Sequence, residues 1–174
     1  MLEIIIFLIG SIGIIWISIP SLRQPSSHGF YRFFAWEIIL GAFVLNLRGW
    51  FVQPLEWHQI ISWILLIASL ILIIYGVFLL RMVGKPTDEL EATTQLVTKG
   101  IYHFIRHPLY ASLLYLAWGL FFKSPSLLDG CLAVVTTAFL YATARADEKE
   151  CILKFGEKYN NYMKKTRMFI PLVF

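Results

Sequence analysis

Charged residues are scarce in this chain. Asp, Glu, Lys and Arg make up only 15% of the 174 residues, whereas 58% are hydrophobic. A typical soluble domain carries about 25% charged residues. Several apolar runs also approach the roughly 20 residues that a helix needs to cross a bilayer. The composition therefore argues against a soluble domain and predicts an all-α integral membrane protein with a single membrane domain over residues 1–174.

Cysteine and acidic residues are rare as well. The two cysteines, Cys131 and Cys151, lie in an apolar run and in a charged tail. They form no metal-binding or redox spacing, so no metal is expected. The net charge of +4 is typical of membrane proteins with basic cytoplasmic loops, and no nucleic-acid partner is expected. A basic segment before the first apolar run is absent too, so we expect that run to be a retained helix and not a cleaved signal.

Five apolar segments are predicted to cross the membrane, namely residues 2–19, 33–52, 58–80, 108–122 and 127–143. The first should stop at Pro20, and the fourth begins with a proline, which is favoured in a first helical turn. The second carries Glu37 and Arg48, about three turns apart on one face. These two charges either pair locally near the membrane ends or line an interior polar cavity.

The chain becomes charged after Thr143, and an amphipathic helix, interrupted only by Gly156, is predicted over about 145–165. Its apolar stripe recurs at steps of three and four residues and comprises Ile152, Phe155, Tyr159, Tyr162 and Met163. Because lysines flank this stripe, the helix should lie on the membrane surface or over the bundle. The stripe is expected to serve packing more than chemistry.

The basic residues predict the orientation of the five spans. With the N-terminus outside, thirteen of the fifteen Lys and Arg residues fall on the cytoplasmic side, as the positive-inside rule requires. They are Arg23, Arg32, Arg81, Lys85, Lys99, Arg106, Arg145, Lys149, Lys154, Lys158, Lys164, Lys165 and Arg167. The C-terminus is then cytoplasmic, membrane lipids are the surrounding partners, and only Arg48 and Lys123 lie elsewhere.

This topology brings two polar clusters together. The fourth span begins and the fifth ends on the cytoplasmic side, and the short turn between them predicts an antiparallel helical hairpin. Arg106 and His107 should therefore lie beside Arg145, Asp147 and Glu148.

The joined clusters offer several kinds of ligand contact. His107 stands at a helix start, where free N–H groups favour an anion. Asp147 and Glu148 can accept hydrogen bonds from an ammonium or a ribose, and Tyr102 and Tyr110 present aromatic faces. S-adenosylmethionine carries the groups that these contacts would bind: a carboxylate, an ammonium, a ribose, an aromatic base and a positively charged sulfur. A collar of solvated charges contacting lipid headgroups is the alternative at a membrane face.

Five short motifs resemble the membrane methyltransferase superfamily, which includes isoprenylcysteine carboxyl methyltransferases and phosphatidylethanolamine N-methyltransferases. They lie at residues 96–102, 106–110, 147–148, 155–162 and 167–171. The resemblance implies S-adenosylmethionine as cofactor and a lipophilic acceptor that enters from the bilayer. It also implies cofactor contacts at Gln95, Leu96, Val97, Gly100, Tyr102, His107, Pro108, Leu109 and Tyr110, with Asp147 or Glu148. The catalytic candidates are Arg106, His107, Arg145 and Glu148.

The sequence departs from the superfamily pattern at three places. Ala111-Ser112 stands where the family often has any residue and then glycine, and Asp147 replaces the first of two glutamates. Thr143 occupies the position of a common substrate-binding arginine, whereas the arginine here is Arg145.

The acceptor remains open among several classes. The first expectation is the carboxylate of an isoprenylcysteine-like substrate, and the alternatives are a phospholipid amine or a small thiol. A sterol-reductase-like enzyme or a non-catalytic membrane protein is a further alternative.

Overall fold

The computed structural model describes residues 1–52, 54–85 and 93–171. These residues form six α-helices and no sheet, which confirms the all-α prediction. The helices are α1 (Leu2–Leu22), α2 (His28–Asn46), α3 (Trp57–Leu79), α4 (Pro108–Phe121), α5 (Leu127–Phe155) and α6 (Glu157–Met163). Short helical turns follow α2 at Leu47–Gly49, extend α3 at Leu80–Gly84 and precede α4 at Gly100–His103.

The five long helices pack as a bundle in which sequence neighbours are not always spatial neighbours. α1 lies against α2, α2 mainly against α5, and α4 between α3 and α5. The main core is formed where α2, α4 and α5 meet the C-terminal residues, with Ala35, Tyr110, Ala111, Leu140 and Phe169 almost fully buried. The outer faces of α1 and α3 expose large apolar side chains, as expected of lipid-facing helices.

Four helices are long and apolar enough to cross a membrane: α1, α2 with its following turn, α3 with its extension, and α5. α4 has 14 residues and is about 21 Å long at 1.5 Å per residue, shorter than a hydrocarbon core of about 30 Å. The count of five spans therefore remains a prediction, as does the orientation.

The helices near the N-terminus extend beyond the span limits predicted there. α1 runs through Pro20 to Leu22, because a proline near a helix end removes only one hydrogen bond of a turn that is already terminating. α2 begins at His28 instead of residue 33, since the Ser27 side chain caps it by accepting a hydrogen bond from the Phe30 N–H.

Residues 145–163 are helical apart from Gly156, where the sequence predicted an interruption, but their first part continues the last predicted span instead of starting a separate helix. Residues 145–155 continue α5, because no helix breaker follows Thr143 and the stretch is rich in helix-forming Ala, Glu and Lys. The 29 residues of α5 extend about 44 Å, so its charged end projects beyond a bilayer core. The break comes at Gly156, whose φ of +55° turns the chain into α6.

The two charges of the second predicted span pair with α1 and do not form an interior cavity. Ser11 donates a hydrogen bond to Glu37 over 3.1 Å, and the exposed Arg48 pairs with Glu3 over 2.7 Å. Local pairing is thus the arrangement at both positions.

A buried lysine closes the end of the bundle where α4 turns into α5. The Lys123 side chain donates to the Gln59 side-chain oxygen over 3.0 Å and lies 3.5 Å from the ring centre of Trp63. Lys123 is only 1% exposed. Lys123 is therefore part of the packing of α3 against the α4–α5 turn. It is one of the two basic residues that the positive-inside rule did not place on the cytoplasmic side.

Candidate functional site

The segment before α4 is held in place by the C-terminal residues. The Arg106 N–H donates to the Arg167 carbonyl over 2.8 Å and the His107 N–H donates to the Met168 carbonyl over 3.2 Å, while the Arg167 N–H donates back to Phe104 over 3.0 Å. These bonds run beside a single parallel bridge between Ile105 and Arg167. The tail thus fixes the backbone that presents His107 at the start of α4.

Glu148 of α5 forms ion pairs with two arginines next to this segment. Its carboxylate lies 2.8 Å from Arg106 Nη2 and 2.9 Å from Arg145 Nη1, and its side chain is 2% exposed. Arg106 also donates to the carbonyls of Met163 and Thr166. The hairpin of α4 and α5 therefore brings the two predicted polar clusters together and links both to the turn after α6.

His107 is buried between two carboxylates and an aromatic ring. Its Nδ1 lies 3.3 Å from Asp147 and its Nε2 lies 3.6 Å from Glu148, and its ring stacks on Tyr110 with centroids 5.4 Å apart. Burial opposes the charged imidazolium, but the contacts with Asp147 and Glu148 outweigh it and raise the pKa of His107 above 6.5. Within the described part of the chain, Nε2 has no hydrogen-bond partner.

A pocket that is partly open to solvent is lined by His107 and its neighbours. Nine of its lining residues were predicted cofactor or catalytic contacts, and the structure brings them to one place. They are Leu96, Val97, Tyr102, Arg106, His107, Pro108, Leu109, Tyr110 and Asp147.

Four other predicted site residues do not line the pocket. Gln95 and Gly100 are exposed. The buried Glu148 side chain binds Arg106 and Arg145, and the Arg145 side chain is about half exposed. Of the two acids, Asp147 is therefore the one that faces the pocket.

Gly100 has a structural requirement of its own. Its φ is +60°, and a Cβ there would lie 2.8 Å from the Tyr75 hydroxyl and 2.7 Å from a Leu79 methyl carbon. Both the backbone conformation and the close packing against α3 require glycine. The residue starts the turn that leads to Tyr102, so it shapes the pocket wall indirectly.

Six lining residues were not predicted to be part of the site: Leu80, Thr93, Cys151, Phe155, Tyr159 and Tyr162. Three of them belong to the aromatic stripe that was assigned to packing. The bend at Gly156 folds α6 back over the bundle, so that the Tyr162 hydroxyl donates to the Tyr102 carbonyl over 2.6 Å. The sequence pattern identifies the stripe, but the bend at Gly156 determines which way its side chains face.

A second polar group adjoins Asp147 on the side away from the pocket. The His28 ring nitrogen Nδ1 lies 2.7 Å from the Glu150 carboxylate, and the His28 N–H donates to the same carboxylate over 3.1 Å. Ligand atoms of His28, Asp147 and Glu150 lie within 4.8 Å of one another. Sequence analysis missed this group, because nothing in the local pattern pairs the start of α2 with the end of α5.

This arrangement of membrane-length helices with a polar pocket at one end corresponds to a known family. The sequence model of the family described as "Phospholipid methyltransferase" matches residues 57–157, a stretch that covers α3, α4, α5 and most of the residues that line the pocket. The chain belongs to this phospholipid methyltransferase family.

The relatives that match this chain have a more specific name than the family does. The chain is 31% identical to a methanethiol S-methyltransferase of Crocosphaera subtropica over 117 residues, which are 65% of this chain and 44% of the relative. It is 29% identical to a methanethiol S-methyltransferase of Pseudomonas deceptionensis over 137 residues, 78% of this chain and 48% of the relative. A third match, methanethiol S-methyltransferase 1 of Bradyrhizobium diazoefficiens, is 30% identical over 114 residues, 63% of this chain and 39% of the relative. The chain spans about half or less of the length of these relatives, and no solved structure matches it.

Proposed function

We propose that this chain forms the active-site part of a membrane methyltransferase that uses S-adenosylmethionine and methylates a small thiol. The observation that supports a thiol acceptor is that both candidate arginines already have ion-pair partners. Arg106 and Arg145 are bound by Glu148, and Arg106 by two backbone carbonyls as well. A carboxylate acceptor would have to compete with these contacts, whereas a neutral thiol would not.

The pocket has the composition that this cofactor needs. Ligand pockets are typically mostly apolar, with a few placed polar groups. Leu96, Val97 and Leu109 provide apolar wall, and the Tyr102 and Tyr110 rings suit an aromatic base or a cation. When bound, S-adenosylmethionine supplies a methyl group on a positively charged sulfur, which is already electrophilic.

Asp147 is the acid proposed to face the cofactor. It lines the pocket and is 17% exposed, whereas Glu148 is 2% exposed and neutralised by two arginines. A carboxylate in this position would favour the positive charge of the cofactor. Glu148 then holds Arg106 and the tail in place without touching the ligand.

His107 is proposed to take the proton of the thiol. A thiolate is the reactive form of a thiol, so the proton has to leave before or during methyl transfer. His107 lines the pocket. Its Nδ1 lies 3.3 Å from Asp147, which also lines the pocket, and its Nε2 lies 3.6 Å from the buried Glu148. A neutral imidazole in this position can accept a proton.

The names of the relatives support the thiol, because three of the curated matches are methanethiol S-methyltransferases. A phospholipid amine is the second candidate, since the family model is described by that substrate. An isoprenylcysteine-like carboxylate is supported by neither observation.

The acceptor can be tested by methyl transfer in nanodiscs. Purified protein would be incubated with methyl-labelled S-adenosylmethionine and one of methanethiol, phosphatidylethanolamine or a prenylcysteine analogue. Label is expected in dimethyl sulfide only. Label in the phospholipid or in a prenylcysteine ester would overturn the thiol proposal, and label in no product from folded protein would overturn the activity.

We also propose that the bundle spans the membrane with the N-terminus outside and the pocket on the cytoplasmic side. The four membrane-length helices and the basic residues around the pocket end support this orientation. Reaction of single introduced cysteines with a membrane-impermeant reagent in intact cells tests it.

A further inference from the structure

The pocket runs lengthwise along one face of α5. Asp147, Cys151 and Phe155 follow one another at steps of four residues, so their side chains share a face of the helix, and all three line the pocket. Asp147 and Phe155 are about 12 Å apart along the helix axis at 1.5 Å per residue. The two ends of the pocket are therefore far enough apart to contact different parts of one ligand.

The Asp147 end of the pocket carries a carboxylate that a ligand can reach. The Asp147 side chain is 17% exposed and lies 3.3 Å from His107 Nδ1. Arg106 also lines the pocket, but Glu148 neutralises its guanidinium over 2.8 Å. When His107 is neutral, the Asp147 carboxylate is the charge that remains at this end, and it favours a positively charged group of a ligand.

The Phe155 end offers an aromatic ring with a cation beside it. The Phe155 side chain is partly exposed and lines the pocket. The Lys154 ammonium lies 5.7 Å from the centroid of the Phe155 ring. This ammonium repels a second positive charge near the ring, whereas a neutral aromatic base can stack on the ring.

We propose that the pocket binds S-adenosylmethionine in one orientation, with the adenine ring against Phe155 and the sulfonium and ammonium at the Asp147 end. This inference rests on the proposed cofactor, and it gives a binding role to a ring that the sequence pattern assigned to packing. In the reverse orientation the carboxylate would lose its favourable charge contact, and Lys154 would repel both positive groups. The proposed orientation also brings the sulfonium to the end where His107 lies, as methylation of a thiol beside that histidine requires.

Two variants and two ligands separate the ends of the pocket. The ligands are S-adenosylmethionine and methylthioadenosine, a neutral nucleoside with the same base and ribose but without the sulfonium and the amino-acid part. In calorimetric titrations in nanodiscs, Phe155→Leu should weaken the binding of both ligands about tenfold, within the range for loss of base–aromatic stacking. Asp147→Asn should weaken the binding of S-adenosylmethionine and leave the affinity for methylthioadenosine unchanged.

Conservative and control variants distinguish stacking from a general effect on the fold. Phe155→Tyr keeps an aromatic ring and should bind both ligands with wild-type affinity. The matched control is Phe104→Leu, because Phe104 is 57% exposed and is not among the residues that line the pocket. This control should leave both affinities unchanged.

Three results would overturn the proposed orientation. Equal weakening of both ligands by Asp147→Asn would show that the acid binds the base or the ribose. Unchanged binding of methylthioadenosine in Phe155→Leu, or no binding of this nucleoside by wild-type protein that binds S-adenosylmethionine, would exclude the base site at Phe155. Binding of neither ligand by folded wild-type protein would instead overturn the proposed function.

Discussion

At the scale of single residues, Glu148 contacts three side chains of the site, those of Arg106, His107 and Arg145. One buried carboxylate orders Arg106 on the α4 side and Arg145 on its own helix. The two arginines differ in burial, since the side chain of Arg106 is 10% exposed and that of Arg145 is 51% exposed. The same acid thus takes part in one buried and one exposed ion pair.

This difference predicts unequal effects of two matched substitutions. Arg106→Met should lower the free energy of unfolding by about 3–5 kcal/mol, as loss of one partner of a buried pair does. Arg145→Met should cost less than about 1 kcal/mol, as for exposed pairs. Unfolding in detergent measures both. Equal losses would contradict the assignment of Arg106 as the structural partner.

His107 predicts the pH dependence of the reaction. A general base must be neutral, so kcat/KM for the thiol should be lost as pH falls through the pKa of His107, which is raised above 6.5. Conversely, kcat/KM should increase as pH is raised through that pKa. In His107→Gln this acidic limb should disappear and leave only the rise from ionisation of the thiol itself. An unchanged acidic limb in the variant would show that another group accepts the proton.

At the scale of elements, the Gly100–His103 turn depends on its first residue. Gly100→Ala should destabilise the fold by at least about 1–2 kcal/mol, the cost of a left-handed backbone for an L-residue, and should weaken cofactor binding by displacing Tyr102. The control is Gly13→Ala in α1, where a Cβ meets nothing within 4 Å and alanine favours the helix. Thermal unfolding compares the two, and a stable Gly100→Ala would contradict the packing described.

The α4–α5 turn gives a second element-scale prediction. Lys123→Met keeps the aliphatic stem but removes the ammonium, and it leaves the Gln59 side-chain oxygen without this donor. The loss should be about 1–3 kcal/mol of stability, with cofactor affinity unchanged because the turn is at the opposite end of the bundle. Lys158→Met, at an exposed position, should change neither quantity. Weakened binding in Lys123→Met would show that the two ends of the bundle are coupled.

At the scale of the whole molecule, the sequence predicted the helices and the meeting of the two polar clusters. Apolar runs locate α3, α4 and α5 along the sequence, and a short turn makes α4 and α5 antiparallel. These local signals were enough to place Arg106 and His107 beside Asp147 and Glu148.

The parts that sequence reasoning missed depend on contacts between distant segments. The continuation of α5 to Phe155 and the bend at Gly156 decide where Tyr159 and Tyr162 point, and a helical period alone does not. Two contacts have no periodic signature: the backbone pairing of Arg167 with Phe104 and Arg106, and the contact of His28 with Glu150. They follow from the packing order of the helices.

The central claim is that one pocket, formed by the start of α4 and the end of α5, binds S-adenosylmethionine. Calorimetric titration of the cofactor into the protein in nanodiscs tests it most directly, with Asp147→Asn as the site variant and Asp129→Asn, at the opposite end of α5, as its matched control. Binding is expected for wild type and for Asp129→Asn, with clearly weaker binding for Asp147→Asn. No binding heat from folded wild-type protein, or equal affinity in all three, would contradict the account.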